Sequence, residues 1–154
     1  MKLISLLEKL EYTCLQGSTD QEVKNVIYDS RKVEEGSLFI CIRGAVVDGH
    51  KFVPDVVAKG AKVLIVEEAV EAPEDVTVIL VKDTRYAMAF ISAAYFGYPA
   101  EKLKTIGITG TKGKTTTTYM VKSILENAGY KVGLIGTIEA IIGDKVIPAK
   151  NTTP

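Results

Sequence analysis

Residues 109–118 read "TGTKGKTTTT", and side chains of these types at this spacing suit one task, holding a chain of phosphates. The stretch lies in "TIGITGTKGKTTTT", which runs from an apolar segment through a glycine-rich turn into a helical pattern. The first N–H groups of a helix lack intrahelical partners and carry the positive end of the dipole, so they make a local anion site. Glycines at 107, 110 and 113 let the backbone turn sharply and approach a ligand closely. Lys112 and Lys114 place cations where, without an anion, a positive charge costs about 0.3 to 1 kcal/mol. Thr115 to Thr118 are β-branched and poor helix formers as a run. A bound triphosphate with Mg2+ accounts for these choices. Backbone N–H groups and the Lys114 ammonium hold the phosphates, and the Thr115 hydroxyl ligates the metal. A usual phosphate loop has glycine five residues before its Gly-Lys-Thr. Here that position is Ile108, so the loop is a variant. A plain glycine turn with incidental surface charge is the alternative.

Elements to carry this loop can be read on both sides. "LKTIGITG" reads as the strand before it, residues 114 to 128 as the helix after it, and Gly129 as the helix stop. "KVGLIGTI" reads as a further strand and "AIIGDKVIP" as a hairpin around Gly143-Asp144. Upstream, Leu3, Leu6, Leu7 and Leu10 recur at helical spacing and predict a helix over 2–10. "VIYDSR" reads as a strand entering a turn, and "EEGSLFICIRG" as a turn and a strand ended by Gly44. Phe52, Val53, Val56 and Val57 form the apolar face of a helix closed by Gly60. "KVLIVEE" and "VTVILVKD" are continuous apolar runs, the mark of strands buried on both faces. "TRYAMAFISAAYFGYP" reads as a helix with Thr84 as N-cap and Gly97 and Pro99 as its stop. Tyr86, Phe90, Tyr95 and Phe96 within it read as helix core. Strands alternating with helices predict an α/β fold with mostly parallel sheet.

The Gly/Pro break in "GYPAEKLK" divides the chain into a small α/β unit over 1–100 and the start of a phosphate-loop, parallel-sheet ATPase domain over 101–154. The second part has too few elements for a finished domain, which predicts the N-terminal portion of a longer protein. Nineteen basic residues balance nineteen acidic ones, so no broad nucleic-acid or membrane-surface footprint is expected. The longest charge-free stretch, 86–100, holds Gly97 and Pro99 and is shorter than a bilayer span. The first twelve residues lack a signal-peptide pattern. Cys14 and Cys41 have no CxxC spacing and read as reduced thiols, so a cytoplasmic location is expected. His50, the one histidine, has no metal-ligand partner at useful spacing and reads as a surface residue near a helix start.

"GITGTKGKTTTTYMVKSILENAGYKVGLIGTI" resembles the nucleotide loop of the Mur ligases, in which Lys112 stands where the family usually has asparagine. "DSRKVEEGSLFICIRGAVVDGHKFVPDVVAKGA" resembles the domain with which members of that family hold the UDP end of their substrate. "GLIGTIEA" and "NTTP" are similar to the member that adds the third amino acid. The resemblance implies an ATP-dependent amide ligase of peptidoglycan precursor synthesis, with ATP and Mg2+ as cofactors. Its expected partners are a UDP-N-acetylmuramoyl-dipeptide and an amino acid, and it is expected to be a monomer. It implies substrate contacts at Tyr28, Ser30, Ala45, Val46, Val47, Asn151, Thr152 and Thr153, ATP contacts at Gly110, Thr111, Lys112, Gly113, Lys114, Thr115 and Thr116, and Lys114 as the catalytic cation. On spacing alone, Asp29-Ser30-Arg31 reads equally as a plain turn and Asn151-Thr152-Thr153 as a polar tail. This portion is expected to be inactive alone. The dipeptide-adding family member, a partitioning-type ATPase and a non-catalytic nucleotide-sugar-binding module remain alternatives. About a hundred residues before the loop argue against the partitioning type.

Overall fold

The computed structural model describes residues 1–44 and 47–149, and these fall into two compact units, Met1–Leu103 and Lys104–Pro154. The first unit contains a five-stranded sheet. Its strands are β1 (Thr13–Gln16), β2 (Asn25–Ile27), β3 (Ser37–Ile40), β4 (Val63–Val66) and β5 (Thr77–Leu80), in the spatial order β1-β5-β4-β3-β2. β2 to β5 are parallel and β1 pairs antiparallel with β5.

The two-residue period of a strand sorts the continuous apolar runs onto two faces. Leu38, Ile40, Val63, Ile65 and Ile79 pack with helices α1 (Leu3–Leu6) and α3 (Thr84–Tyr95), through Leu3, Leu6, Ala87 and Ile91. Phe39, Cys41, Leu64, Val66 and Val78 pack on the other face with α2 (Val53–Ala58), through Val53 and Val56. The parallel register keeps these sets aligned, pairing Leu38 with Val63 and Ile65 with Ile79. β4 is buried throughout, as expected for a central strand covered on both sides.

Several local expectations are corrected here. The first helix stops at Leu6 rather than continuing to residue 10, because the chain turns at Leu7, which is buried in the core with Leu3 and Leu6. β1 was not expected at all. It is a short, bulged edge strand of mostly exposed residues, so it lacks the alternation that marks a half-buried strand. The N-cap of α3 is Asp83, whose carboxylate accepts the N–H groups of Arg85 and Tyr86. Thr84 is buried inside the first turn. Tyr86 and Phe96 lie on the exposed side of α3, and the core is filled by the smaller Ala87, Ile91 and Ala94. Their ring planes make pairs along the helix, Tyr86 with Phe90 and Tyr95 with Phe96.

The second unit holds α4 (Lys114–Asn127) and an antiparallel meander of β6 (Gly133–Ile135), β7 (Glu139–Ile142) and β8 (Lys145–Pro148). The β7–β8 hairpin turns at Gly143, whose φ of 58° suits glycine. Gly129, at φ 86°, follows the end of α4 as the sequence predicts. The expected strand over 103–110 is absent. Residues 104–110 are irregular and mostly exposed, because no strand among the described residues pairs with them. A sheet strand exists only through its ladder hydrogen bonds, and this segment has none.

Candidate functional site

The glycine-rich loop leads into α4. Gly113 is the N-cap, in the left-handed region at φ 75°, with no heavy atom within 4 Å of where a Cβ would lie. Glycine is therefore required by conformation rather than by space. Gly107 has an ordinary φ and open surroundings, so no geometric demand for glycine is evident there. Lys114 folds back so that its ammonium donates to the Gly110 carbonyl at 2.6 Å. That bond uses one of three ammonium protons, and two remain free for an anion at the loop.

The threonine run divides its roles. Thr117 Oγ1 donates to the Gly113 carbonyl and Thr118 Oγ1 to the Thr115 carbonyl, at 2.9 and 2.7 Å. These back-bonds satisfy the hydroxyls inside a helix that β-branched residues would not otherwise favour. Among the described residues, nothing engages the hydroxyls of Thr115 and Thr116. The first backbone bond into the helix from this end is Thr117 N–H to Gly113 O, which leaves the N–H groups of Lys114, Thr115 and Thr116 available. Free amides, one tethered lysine and two unengaged hydroxyls fit a phosphate chain with its divalent cation.

A second candidate site lies at the carboxyl ends of the parallel strands, where open α/β sheets gather their ligand-binding loops. Tyr28 and Ser30 follow β2, and Val47 lies in the segment following β3; β2 and β3 are neighbours. Tyr28 is exposed. Ser30 opens a 3-10 turn, Ser30–Lys32, capped by Asp29. The Asp29 carboxylate takes both the Arg31 guanidinium, at 2.8 Å through each oxygen, and the Arg31 N–H. These bonds, the side-chain pair first, hold its pKa down at about 2. The Ser30 carbonyl accepts from Lys59 at 2.8 Å. The turn is thus fixed by its neighbours, and the Ser30 hydroxyl is left for a ligand. Ala45, Val46, Asn151, Thr152 and Thr153, the other expected contacts, lie outside the described residues.

The loop after β3 is tied at its base. Arg43 bridges to Asp48, Gly44 N–H donates to Val47 O at 2.9 Å, and Gly49 N–H donates to Ile42 O at 2.8 Å. Gly49 is forced by this closure, since a Cβ there would lie 2.7 Å from both backbone N and O of Ile42. His50 corrects the expectation of a surface residue. It is buried, with Nδ1 2.6 Å from Asp48 Oδ1 and Nε2 accepting the Glu67 N–H at 3.0 Å. Bonds from the His50 N–H and then its ring hold the Asp48 carboxyl at about 2. Glu67 in turn accepts the Thr84 N–H and hydroxyl, each at 2.8 Å, and the N–H bond is the main cause of its lowered pKa. One chain of bonds therefore joins the ends of β3, β4 and β5. Only the spacing of Asp48 and His50, two residues apart at a turn, hinted at it in the sequence.

Asp48, His50 and Glu68 bring ligand atoms within 4.8 Å of one another. A metal ion does not suit them. Both ring nitrogens of His50 are in use, and the Arg43 guanidinium already bonds Asp48 at 3.1 Å and Glu68 at 2.8 Å.

Two family models cover most of the chain: "Mur ligase family, catalytic domain" over residues 22–96 and "Mur ligase middle domain" over 108–154. The chain belongs to the Mur ligase family. It is 53% identical over its whole length to the UDP-N-acetylmuramoyl-L-alanyl-D-glutamate–2,6-diaminopimelate ligase of Clostridium perfringens (strain 13 / Type A). It is 48% identical to the same-named protein of Clostridium tetani (strain Massachusetts / E88). The chain spans about a third of the length of these curated relatives, 32% of each. Among solved structures, a UDP-N-acetylmuramoylalanyl-D-glutamyl-2,6-diaminopimelate–D-alanyl-D-alanyl ligase from Acinetobacter baumannii matches 82% of this Mur ligase chain and 28% of its own, at 35% identity and a TM-score of 0.64. A structure titled as a UDP-N-acetylmuramoyl-L-alanyl-D-glutamate–2,6-diaminopimelate ligase matches all of this chain and 31% of its own at a TM-score of 0.75; at 24% identity it speaks for the fold alone. No helix among the described residues is long and apolar enough to cross a membrane.

Proposed function

We propose that this Mur ligase chain is part of a UDP-N-acetylmuramoyl-tripeptide synthetase, which joins diaminopimelate to UDP-N-acetylmuramoyl-L-alanyl-D-glutamate at the expense of ATP. The observation that carries the reading is the Lys114–Gly110 loop with its free helix-start amides, in a chain whose relatives named for this reaction match it from end to end. The dipeptide-adding reading is weaker, because the structure named for that reaction matches 82% of the chain at 35% identity, whereas the relatives named for diaminopimelate addition match all of it at 53% and 48%.

Bound ATP supplies the phosphoryl group that makes a substrate carboxylate an acyl phosphate open to attack by an amine, and Mg2+ spreads the phosphate charge. Lys114 neutralises phosphate charge from a position already fixed by Gly110, so little reorganisation is needed when charge develops. The Thr115 hydroxyl would ligate the metal, and the amides of Lys114 to Thr116 would hold the phosphates. Tyr28, Ser30 and Val47 hold the uridine diphosphate end. That anchorage fixes the peptide carboxylate for the reaction. The protein works as a monomer in the cytoplasm.

Calorimetric titration of the 154-residue chain with UDP-N-acetylmuramoyl-L-alanyl-D-glutamate, and with UDP, tests the anchoring half. Saturable binding weakened by Ser30→Ala is the expected result. A folded chain that binds neither ligand would overturn the anchoring role of 1–103.

A further inference from the structure

We infer that His50 is a positioning residue: locked as its Nδ1–H tautomer, it ties Asp48 and the Gly49–Phe52 turn to the end of β4, and so sets the shape of the substrate-holding edge. The ligand part of this inference rests on the anchoring role just proposed, while the clamp itself rests on geometry alone.

The Glu67 N–H points at Nε2 from 3.0 Å, so Nε2 must carry a lone pair. The ring proton is then on Nδ1, where it donates to Asp48 Oδ1. Asp48 also receives the His50 N–H at 3.0 Å, and its other oxygen holds Arg43 at the loop base. The loop is thereby connected, through one imidazole, to the first residue beyond β4. Glu67 is itself fixed to the start of α3 by Thr84, so the clamp has a rigid anchor.

The charged groups around the ring are Asp48 on its own turn, Arg43 at the loop base, Glu67 and Glu68 beyond β4, and Arg85 on α3, whose guanidinium reaches the Arg43 carbonyl at 3.3 Å. Protonation of Nε2 turns the acceptor into a donor facing another donor. None of the surrounding carboxylates restores the bond to the Glu67 N–H. The clamp opens while the Asp48 contact persists.

Two amide variants separate the halves of the ring. An asparagine nitrogen stands near Nδ1 and reaches Asp48 only. A glutamine oxygen stands near Nε2 and can accept the Glu67 N–H. We expect His50→Asn to weaken UDP binding by about tenfold, the effect of leaving one inward N–H unpaired, and His50→Gln to recover most of that loss. In the wild type, UDP affinity falls in step with the imidazole titration followed by 15N NMR, which the single histidine makes unambiguous. In His50→Gln that fall disappears. The Glu67 amide is protected from exchange in the wild type and in His50→Gln, and unprotected in His50→Asn.

An Nε2–H tautomer in the neutral wild-type chain overturns the inference. So does a pH profile of binding left unchanged by His50→Gln. Should the wild type bind no UDP, the anchoring role fails, and the clamp is decided by the tautomer and the Glu67 exchange.

Discussion

The Lys114 ammonium lies 2.6 Å from the Gly110 carbonyl, across the loop that both residues bound. A lysine free to wander would lose side-chain entropy on meeting a phosphate, up to about 2 kcal/mol; this one has already been ordered. Its removal therefore takes away a preorganised charge. Lys114→Ala, in a full-length ligase carrying this chain, is expected to lower the rate of amide formation by about a hundredfold or more. Steady-state assays of phosphate release give the answer, and a variant keeping more than about a tenth of the rate would remove Lys114 from its assigned role.

Gly113→Ala tests the loop from the backbone side. With open space around the missing Cβ, the cost is that of a left-handed φ for an L-residue, about 1 to 2 kcal/mol. Gly49→Ala is a different case, because there the Cβ would strike the Ile42 backbone. Its expected cost is about 1 to 3 kcal/mol from the first unit. Urea denaturation followed by circular dichroism distinguishes them. Gly49→Ala should shift the unfolding of the first unit, and Gly113→Ala should leave that transition in place. Equal effects on that transition would contradict the geometry.

Much of the first unit was legible because burial and periodicity agree. "KVLIVEE" and "VTVILVKD" are apolar throughout and form β4 and β5. The glycine turn into α4 was legible because its residues make poor local sense without an anion. What escaped were features set by tertiary context. β1 is an exposed edge without a pattern. The aromatic rings of α3 suggested core by their size; Tyr95 does pack against it, but Tyr86 and Phe96 are exposed and the helix packs chiefly through Ala87, Ile91 and Ala94. The segment 103–110 has the composition of a strand but lacks a partner to pair with among the described residues. His50 looked like surface because nothing local in its sequence shows a bond to Glu67, seventeen residues on.

The two cysteines should behave differently toward thiol reagents. Cys14 is exposed on β1. Cys41 is fully buried against the α2 face, and that burial pushes its pKa up to about 12. Since the thiolate is the reactive form, a chromogenic disulfide reagent should modify one thiol per native chain quickly. The second should react only in denaturant, at the rate of unfolding. Two fast thiols in the native protein would place Cys41 outside the core.

Acid should weaken the first unit through Asp48 and Asp29. Both carboxyls ordinarily titrate near 3.8 and are held at about 2 in the fold, Asp48 chiefly by the His50 N–H and Asp29 chiefly by the Arg31 side chain. A folded-state pKa below the unfolded one adds stability above the unfolded value, and that contribution is lost as pH falls through the folded value. Stability attributable to these groups is therefore complete at neutral pH and declines between about pH 4 and pH 2. The two shares differ in kind. The Arg31 side chain is 85% exposed, so solvent and salt screen the Asp29 pair and its share should fade in high salt. Asp48 is bonded to a buried ring, and its share should resist salt. Urea midpoints across that pH window, in low and high salt, should show a slope reduced by Asp48→Asn under both conditions and by Asp29→Asn only in low salt. An unchanged slope in Asp48→Asn would mean that its bonds to His50 are not what holds this carboxylate ionised.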